Sequence, residues 1–266
     1  MRNLPPVVKN LIIINVVLLL LTMLMERTGV DLVRYLGLYY PGSQHFMPHQ
    51  LVTHMFMHGG LMHIFFNMYA LWMFGSTLEQ VWGGKRFLLY YFVTGLGAAA
   101  LHTFVGWIEI SHVQSAAKAL TNTLTPDTFE AFVVKYFSKS VDPGALDAFV
   151  SRWSAMPDSP VQAAQAEETV NSLIRGMMNI PTVGASGAVF GVLLAFGMLF
   201  PNTQLMLLFP PIPIKAKYFV LAYGVLELTL GVSNQGSNVA HFAHVGGMLF
   251  GFLLIKYWRK KSQHFY

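Results

Sequence analysis

Six apolar runs set the terms for this chain. The first, "VVKNLIIINVVLLLLTMLM" at 7–25, carries one charge in its whole length. Coiled as a helix at about 1.5 Å per residue, a run of that size matches the ~30 Å hydrocarbon core of a bilayer. The others lie at 59–80, 87–107, 186–200, about 216–232 and 239–257, the fifth following a Pro-rich break, "FPPIPIK". Charged residues are 11% of the chain, against about 25% in soluble domains. These features predict an all-α polytopic membrane protein with six transmembrane helices. Arg2 and Lys9 precede the first run much as in a signal peptide, but Met25, Glu26 and Arg27 follow it where small residues would mark a cleavage site. The run is therefore expected to stay as a first helix.

The basic residues orient the spans. With the N-terminus inside, Arg2, Lys9, Lys85, Arg86, Lys215, Lys217, Lys256, Arg259, Lys260 and Lys261 fall in the inner segments, with Glu79 the one acid nearby. Inner loops rich in Lys and Arg are the usual orientation signal, so both termini are expected in the cytoplasm, with a bacterial cytoplasmic membrane as the setting. The net charge of +5 is accounted for by these loops and implies no nucleic-acid partner. The chain has no cysteine, which excludes disulfides and thiolate metal sites.

Between the third and fourth spans lies a polar outer segment, 108–183, so the chain divides into 1–107, 108–183 and 184–266. Three helix starts are legible in the segment: Thr125-Pro126, Asp142-Pro143 and Ser159-Pro160 each set a capping residue before a proline. Phe129, Phe132, Val133 and Phe137 then share one face, as do Leu146, Phe149, Val150 and Trp153. A small helical insert is expected, acting as a structural cap, with substrate gating or partner binding as the alternatives.

The stretch "TVGASGAVFG" at 182–191 puts a serine at the start of the fourth span. That span has about 15 residues, roughly 22 Å of helix, shorter than the ~30 Å core. Ser186 then lies below the outer surface, and the irregular backbone before it must be covered by protein or line a wet cavity. Taken alone, Ser186 is more simply a small packing residue, since Gly187, Gly191 and Ala195 recur every fourth position as a close-contact stripe. The sixth span offers a partner. In "AHFAHVGGMLFG", His241 and His244 are one turn apart, and His244, Gly247 and Gly251 share a face. Two glycine stripes packed backbone to backbone would bring Ser186 to His244, and a histidine is the base a serine hydroxyl needs.

His63 and Asn67, at i and i+4 in the second span, add donors suited to a developing oxyanion. His54 and His58 have metal-ligand spacing but no carboxylate nearby, and structural hydrogen bonds in the outer loop are expected of one or both. His241 either lines the cavity or reaches water. Glu79 is expected to make a structural hydrogen bond at the inner face, whereas Glu227, inside the fifth span, has no evident partner. The soluble-hydrolase elbow is excluded, because Ala188 stands where G-x-S-x-G needs its last glycine.

Together "HGGLMHIFFN", "GASGAVFG" and "AHVGGMLFG" resemble the three signatures of the rhomboid family of intramembrane serine proteases: H-x-x-x-N in the second helix, G-x-S-G opening the fourth, and A-H-x-x-G-x-x-x-G in the sixth. The likeness covers 1–107 and 180–258. It implies a rhomboid-like fold, with 108–183 as an addition between the third and fourth helices. It further implies Ser186 as nucleophile, His244 as general base, and His63, Asn67 and the Ser186 N–H as oxyanion donors, supported by Gly184, Gly187 and Phe190. No cofactor or metal is implied, and the substrates would be transmembrane proteins cut near a helix end beside small residues. Pro48-His49-Gln50 replaces the family's Trp-Arg in the first loop, and Phe190 replaces its tyrosine. Two other classes are weighed against this: a rhomboid-like protein that binds transmembrane clients without cutting them, which the Ser/His pair disfavours, and a transporter, for which no inverted repeat is visible.

Overall fold

The computed structural model describes residues 4–206, 211–233 and 238–261. Arg2, His264 and the Phe209-Pro210 start of the Pro-rich break lie outside the described residues. The chain divides into two compact units, one of 1–41, 45–105 and 181–266, the other of 42–44 and 106–180.

The first unit holds α1 (Pro6–Glu26), α2 (Leu32–Leu36), α3 (Gln50–Thr53), α4 (Leu61–Ala70) and α5 (Ser76–Trp82). A 3-10 turn at His54–Phe56 precedes α4, and a π-helical stretch, Leu71–Gly75, joins α4 to α5. Next comes α6 (Gly84–Thr121), which begins in the first unit and ends in the second. The second unit continues with α7 (Pro126–Phe137), α8 (Pro143–Ser154) and α9 (Pro160–Met178), after which α10 (Ser186–Leu199), α11 (Ala216–Val232) and α12 (Asn238–Lys261) complete the first. A short antiparallel hairpin, β1 (Gln204–Met206) with β2 (Pro213–Lys215), joins α10 to α11, with Leu205 opposite Ile214. The Pro-rich stretch read as a simple break thus contributes a strand to a predominantly helical protein.

Among the described residues, α1 and α6 are long and apolar enough to cross a membrane, and α10 is a shorter apolar helix. The polarity of the first unit is inverted relative to a soluble domain. Ile13, Val17, Leu20, Phe65, Trp72, Leu221 and Leu253 are exposed, while Asn15, Gln50, Asn67, Glu79, Thr94 and Glu227 are buried. Apolar exposure on this scale marks a surface made for something other than water. The second unit has the ordinary arrangement: Phe129, Phe132, Val133, Phe137, Val150 and Trp153 are buried in one cluster with Ala166, Val170 and Ile174 of α9.

The polar segment differs from expectation in one respect, and the helix that carries the third span runs past its apolar stretch. The helix continues to Thr121 because Val113 and Leu120 keep an apolar face that joins the second cluster. Ser159 does not cap a backbone N–H; its hydroxyl donates to the Gln162 side chain. Thr125 and Asp142 do cap, accepting from Thr128 N and Ala145 N.

Glu79 makes the structural bond expected of it in a particular way. Its two carboxylate oxygens accept the N–H groups of Val7 and Val8, at 2.9 and 2.8 Å, and so satisfy orphan donors at the first turn of α1. Glu79→Ala should therefore lower stability by about 2–3 kcal/mol, seen as a lower thermal midpoint in detergent micelles. An unchanged midpoint would show that water replaces the carboxylate without loss.

Candidate active site

Ser186 is the first residue of α10. Its N–H, like those of the residues just after it, has no acceptor within the helix. The irregular backbone leading to it is anchored at two points. Leu38 and Thr182 exchange N–H···O bonds of 2.9 and 2.8 Å, and Gly184 N–H donates to the His54 carbonyl at 2.9 Å. Gly184 has φ 132°, the left-handed region that favours glycine, and a Cβ there would sit 2.9 Å from the His63 ring at Cε1 and Nε2. The missing side chain is what lets that imidazole lie beside the serine.

His244 comes from α12. Its Nε2 is 2.9 Å from Ser186 Oγ. Phe190, one turn along α10 from the serine, stacks on the imidazole with ring centroids 4.1 Å apart and planes 5° from parallel. The phenylalanine thus provides the ring contact that a tyrosine would. On its other edge, His244 Nδ1 lies 2.8 Å from Glu227 Oε2, and the same oxygen lies 2.7 Å from His241 Nδ1. Both histidine positions are partly exposed, whereas Glu227 is buried. No pattern in the sequence assigns a partner to Glu227 or decides between cavity and water for His241; with His244 the two form one cluster. Their ligand atoms lie within 4.8 Å of one another, a spacing that a metal would also accept. In the structure each imidazole Nδ1 engages the carboxylate.

The glycine stripes meet differently from the expected pairing. A Cβ on Gly247 would collide with the Gly187 carbonyl, so α10 and α12 do touch through backbone at that rung. Gly191 and Gly251 do not face each other. Both face α6, Gly191 against Thr94 and Gly251 against Tyr90, and the Tyr90 hydroxyl donates to the Gly191 carbonyl at 2.8 Å. Three helices share the contact.

His63 and Asn67 lie on α4. Gly59 N–H donates to His63 Nδ1 at 3.4 Å, which leaves Nε2, on the Gly184 side, as the ring's N–H. Asn67 is buried and donates one amide hydrogen to the His63 carbonyl at 3.1 Å. Among the described residues, no hydrogen bond joins either side chain to Ser186. Behind the serine a cavity of about 20 Å³ is lined by His54, His102, Thr182, Gly184 and Ser186, among others, enough for one water molecule.

The first loop is held by Gln50, fully buried, which accepts from Tyr39 N and Met47 N and donates to the Tyr35 and His45 carbonyls. His54 bonds the Gln50 carbonyl at 2.8 Å, and burial pushes its imidazole down to about 4. Of the pair, His54 thus makes the structural bond expected of one or both, and His58 is buried against the His63 ring, centroids 5.0 Å apart. His102 pairs with the Thr182 hydroxyl at 2.6 Å. A chemistry-bearing residue paired from 80 positions away leaves no local pattern to read.

Gly247→Ala should force α10 and α12 apart, destabilising by about 1–3 kcal/mol and abolishing fluorophosphonate labelling of Ser186. Normal labelling in that variant would mean that the backbone contact is dispensable.

Comparison with known proteins fits this geometry. The family model for the rhomboid domain matches residues 45–109 and 161–261. The chain is 27% identical over 225 residues to an uncharacterised mitochondrial rhomboid protein of Schizosaccharomyces pombe, covering 80% of this chain and 52% of that protein. It is 38% identical over 73 residues to the mitochondrial Rhomboid protein 1 of Saccharomyces cerevisiae, covering 27% and 21%. With the rhomboid protease GluP of Bacillus subtilis it shares 39% over 56 residues, covering 21% and 11%. The chain thus spans about half the length of the first of these relatives and less of the others.

Proposed function

Since this chain belongs to the rhomboid family, a membrane-embedded family, we propose that it is an intramembrane serine endopeptidase that cuts transmembrane protein substrates. The observation that carries the reading is the 2.9 Å separation of Ser186 Oγ and His244 Nε2, held by a stacked ring and a backbone-to-backbone helix contact.

In this reading Ser186 Oγ attacks the scissile carbonyl carbon while its proton passes to His244 Nε2. The tetrahedral oxyanion is held by the Ser186 N–H, His63 Nε2 and Asn67. The C–N bond breaks as the imidazolium returns its proton to the leaving amine, leaving an acyl ester on Ser186. Water then attacks that ester, giving its proton to His244 Nε2. The ester C–O bond breaks, Ser186 recovers its hydrogen, and the new carboxyl end departs. The one-water cavity beside Ser186 favours such a step within an apolar surround.

Six transmembrane helices, formed by α1, α4–α5, the first part of α6, α10, α11 and α12, are part of the proposal, with the bilayer as their solvent. The exposed apolar faces and buried polar residues of the first unit support it. Both termini are proposed to lie on the basic side. The mitochondrial names of several relatives favour a mitochondrial membrane, and GluP favours a bacterial one. The unit containing α7–α9 is proposed as a structural cap.

Ser186→Ala and His244→Ala should each reduce cleavage of a transmembrane reporter in proteoliposomes by at least about 10³-fold, with thermal midpoints unchanged. Cleavage at the wild-type rate by Ser186→Ala would remove the serine from the mechanism, and a folded wild-type protein that binds the reporter without cutting it would favour a client-binding role.

A further inference from the structure

A neutral imidazole carries one hydrogen, and only the ring with that hydrogen on Nδ1 has a lone pair on Nε2 to take the serine proton. What faces Nδ1 therefore matters as much as what faces Nε2. In this structure Nδ1 of His244 faces Glu227 Oε2 at 2.8 Å. A carboxylate only accepts hydrogen bonds, so His244 must present Nδ1–H to it, and the lone pair is left on Nε2, towards Ser186.

Glu227 is in turn held in place. It is 5% exposed, in a mostly apolar helix, and its Oε2 takes a second N–H from His241 at 2.7 Å. A buried carboxylate in such a place is not explained by stability, because replacing buried ionic groups with apolar ones is often neutral or stabilising. An orienting role does explain it. Phe190 fixes the plane of the ring and Glu227 fixes its edge.

We propose that Glu227 is a positioning residue that turns the Ser186–His244 pair into a serine–histidine–glutamate triad, with His241 locking the carboxylate. This rests on the serine-protease reading. When Ser186 loses its proton to Nε2, the ring becomes an imidazolium; the carboxylate stays ionised and stabilises that cation, and no proton passes to Glu227. The proton leaves again from Nε2 to the departing amine.

The test uses the full chain in proteoliposomes, with Glu227→Gln, which keeps an acceptor without the charge, and Glu227→Leu, which removes both. Glu227→Leu should lower kcat for the reporter by about 10²-fold or more, with KM within about threefold, and Glu227→Gln should fall between. Solid-state nitrogen NMR of ring-labelled histidine, assigned by difference with His244→Asn, should show wild-type His244 with hydrogen on Nδ1 and a bare Nε2. In Glu227→Leu that signal should move towards the other tautomer. Unchanged kcat in both variants, or a wild-type His244 protonated at Nε2, would overturn the proposal; the wild-type spectrum decides even where a variant does not fold. Failure of the protease reading itself has another signature, wild-type protein that neither cleaves nor takes up fluorophosphonate whatever its tautomer, and that result would overturn both.

Discussion

The distance between two backbones governs this structure. Gly187 on α10 and Gly247 on α12 meet so closely that a single added methyl would overlap a carbonyl. Ser186 is the residue before one glycine, and His244 lies one turn before the other. The hydroxyl and the imidazole thus meet because their helices are in backbone contact, and Tyr90 and Thr94 of α6 close the third side of the same contact. Side chains of ordinary size at these glycines would separate helices by more than a hydrogen bond can span. In lipid, where apolar burial does little to drive helices together, close approach of small residues is the available source of tight packing.

The second constraint is the treatment of polar groups. Thr94 returns its hydroxyl to the Tyr90 and Tyr91 carbonyls, Asn15 donates to the Leu11 carbonyl, and Glu79 closes the start of α1. Such internal pairing is what a bilayer demands, since lipid offers no replacement partners. Around Ser186 the same rule yields a chain of contacts rather than isolated pairs: serine to histidine, histidine to glutamate, glutamate to a second histidine. The irregular segment before Ser186 obeys it as well, through the Leu38–Thr182 bridge and the Gly184–His54 bond.

What could be read from the sequence follows the range over which a pattern acts. Ser186, Phe190 and the glycines lie within two turns of one helix, and His244 shares a face with Gly247, so the helical period alone relates them. Thr125 and Asp142 announce their helices by local chemistry. Glu227 did not disclose its role because its partners lie on another helix, and which way α11 turns its acid depends on packing. The same holds for His102 and Thr182, and for Gly191 and Gly251, whose spacing predicted a close neighbour but not that α6 would be the neighbour. The continuation of α6 past 107 was hidden by its change to polar composition, although its apolar face at Val113 and Leu120 persists into the second core. The rhomboid family model matches from residue 45, beyond α1, so the first helix is read from its hydropathy.

The decisive measurement is peptide mapping by mass spectrometry after treating the native protein in liposomes with a fluorophosphonate. A single phosphonyl addition on Ser186 is expected, absent when the protein is unfolded before treatment. A folded protein that stays unmodified at Ser186, or is modified at another serine instead, would contradict it.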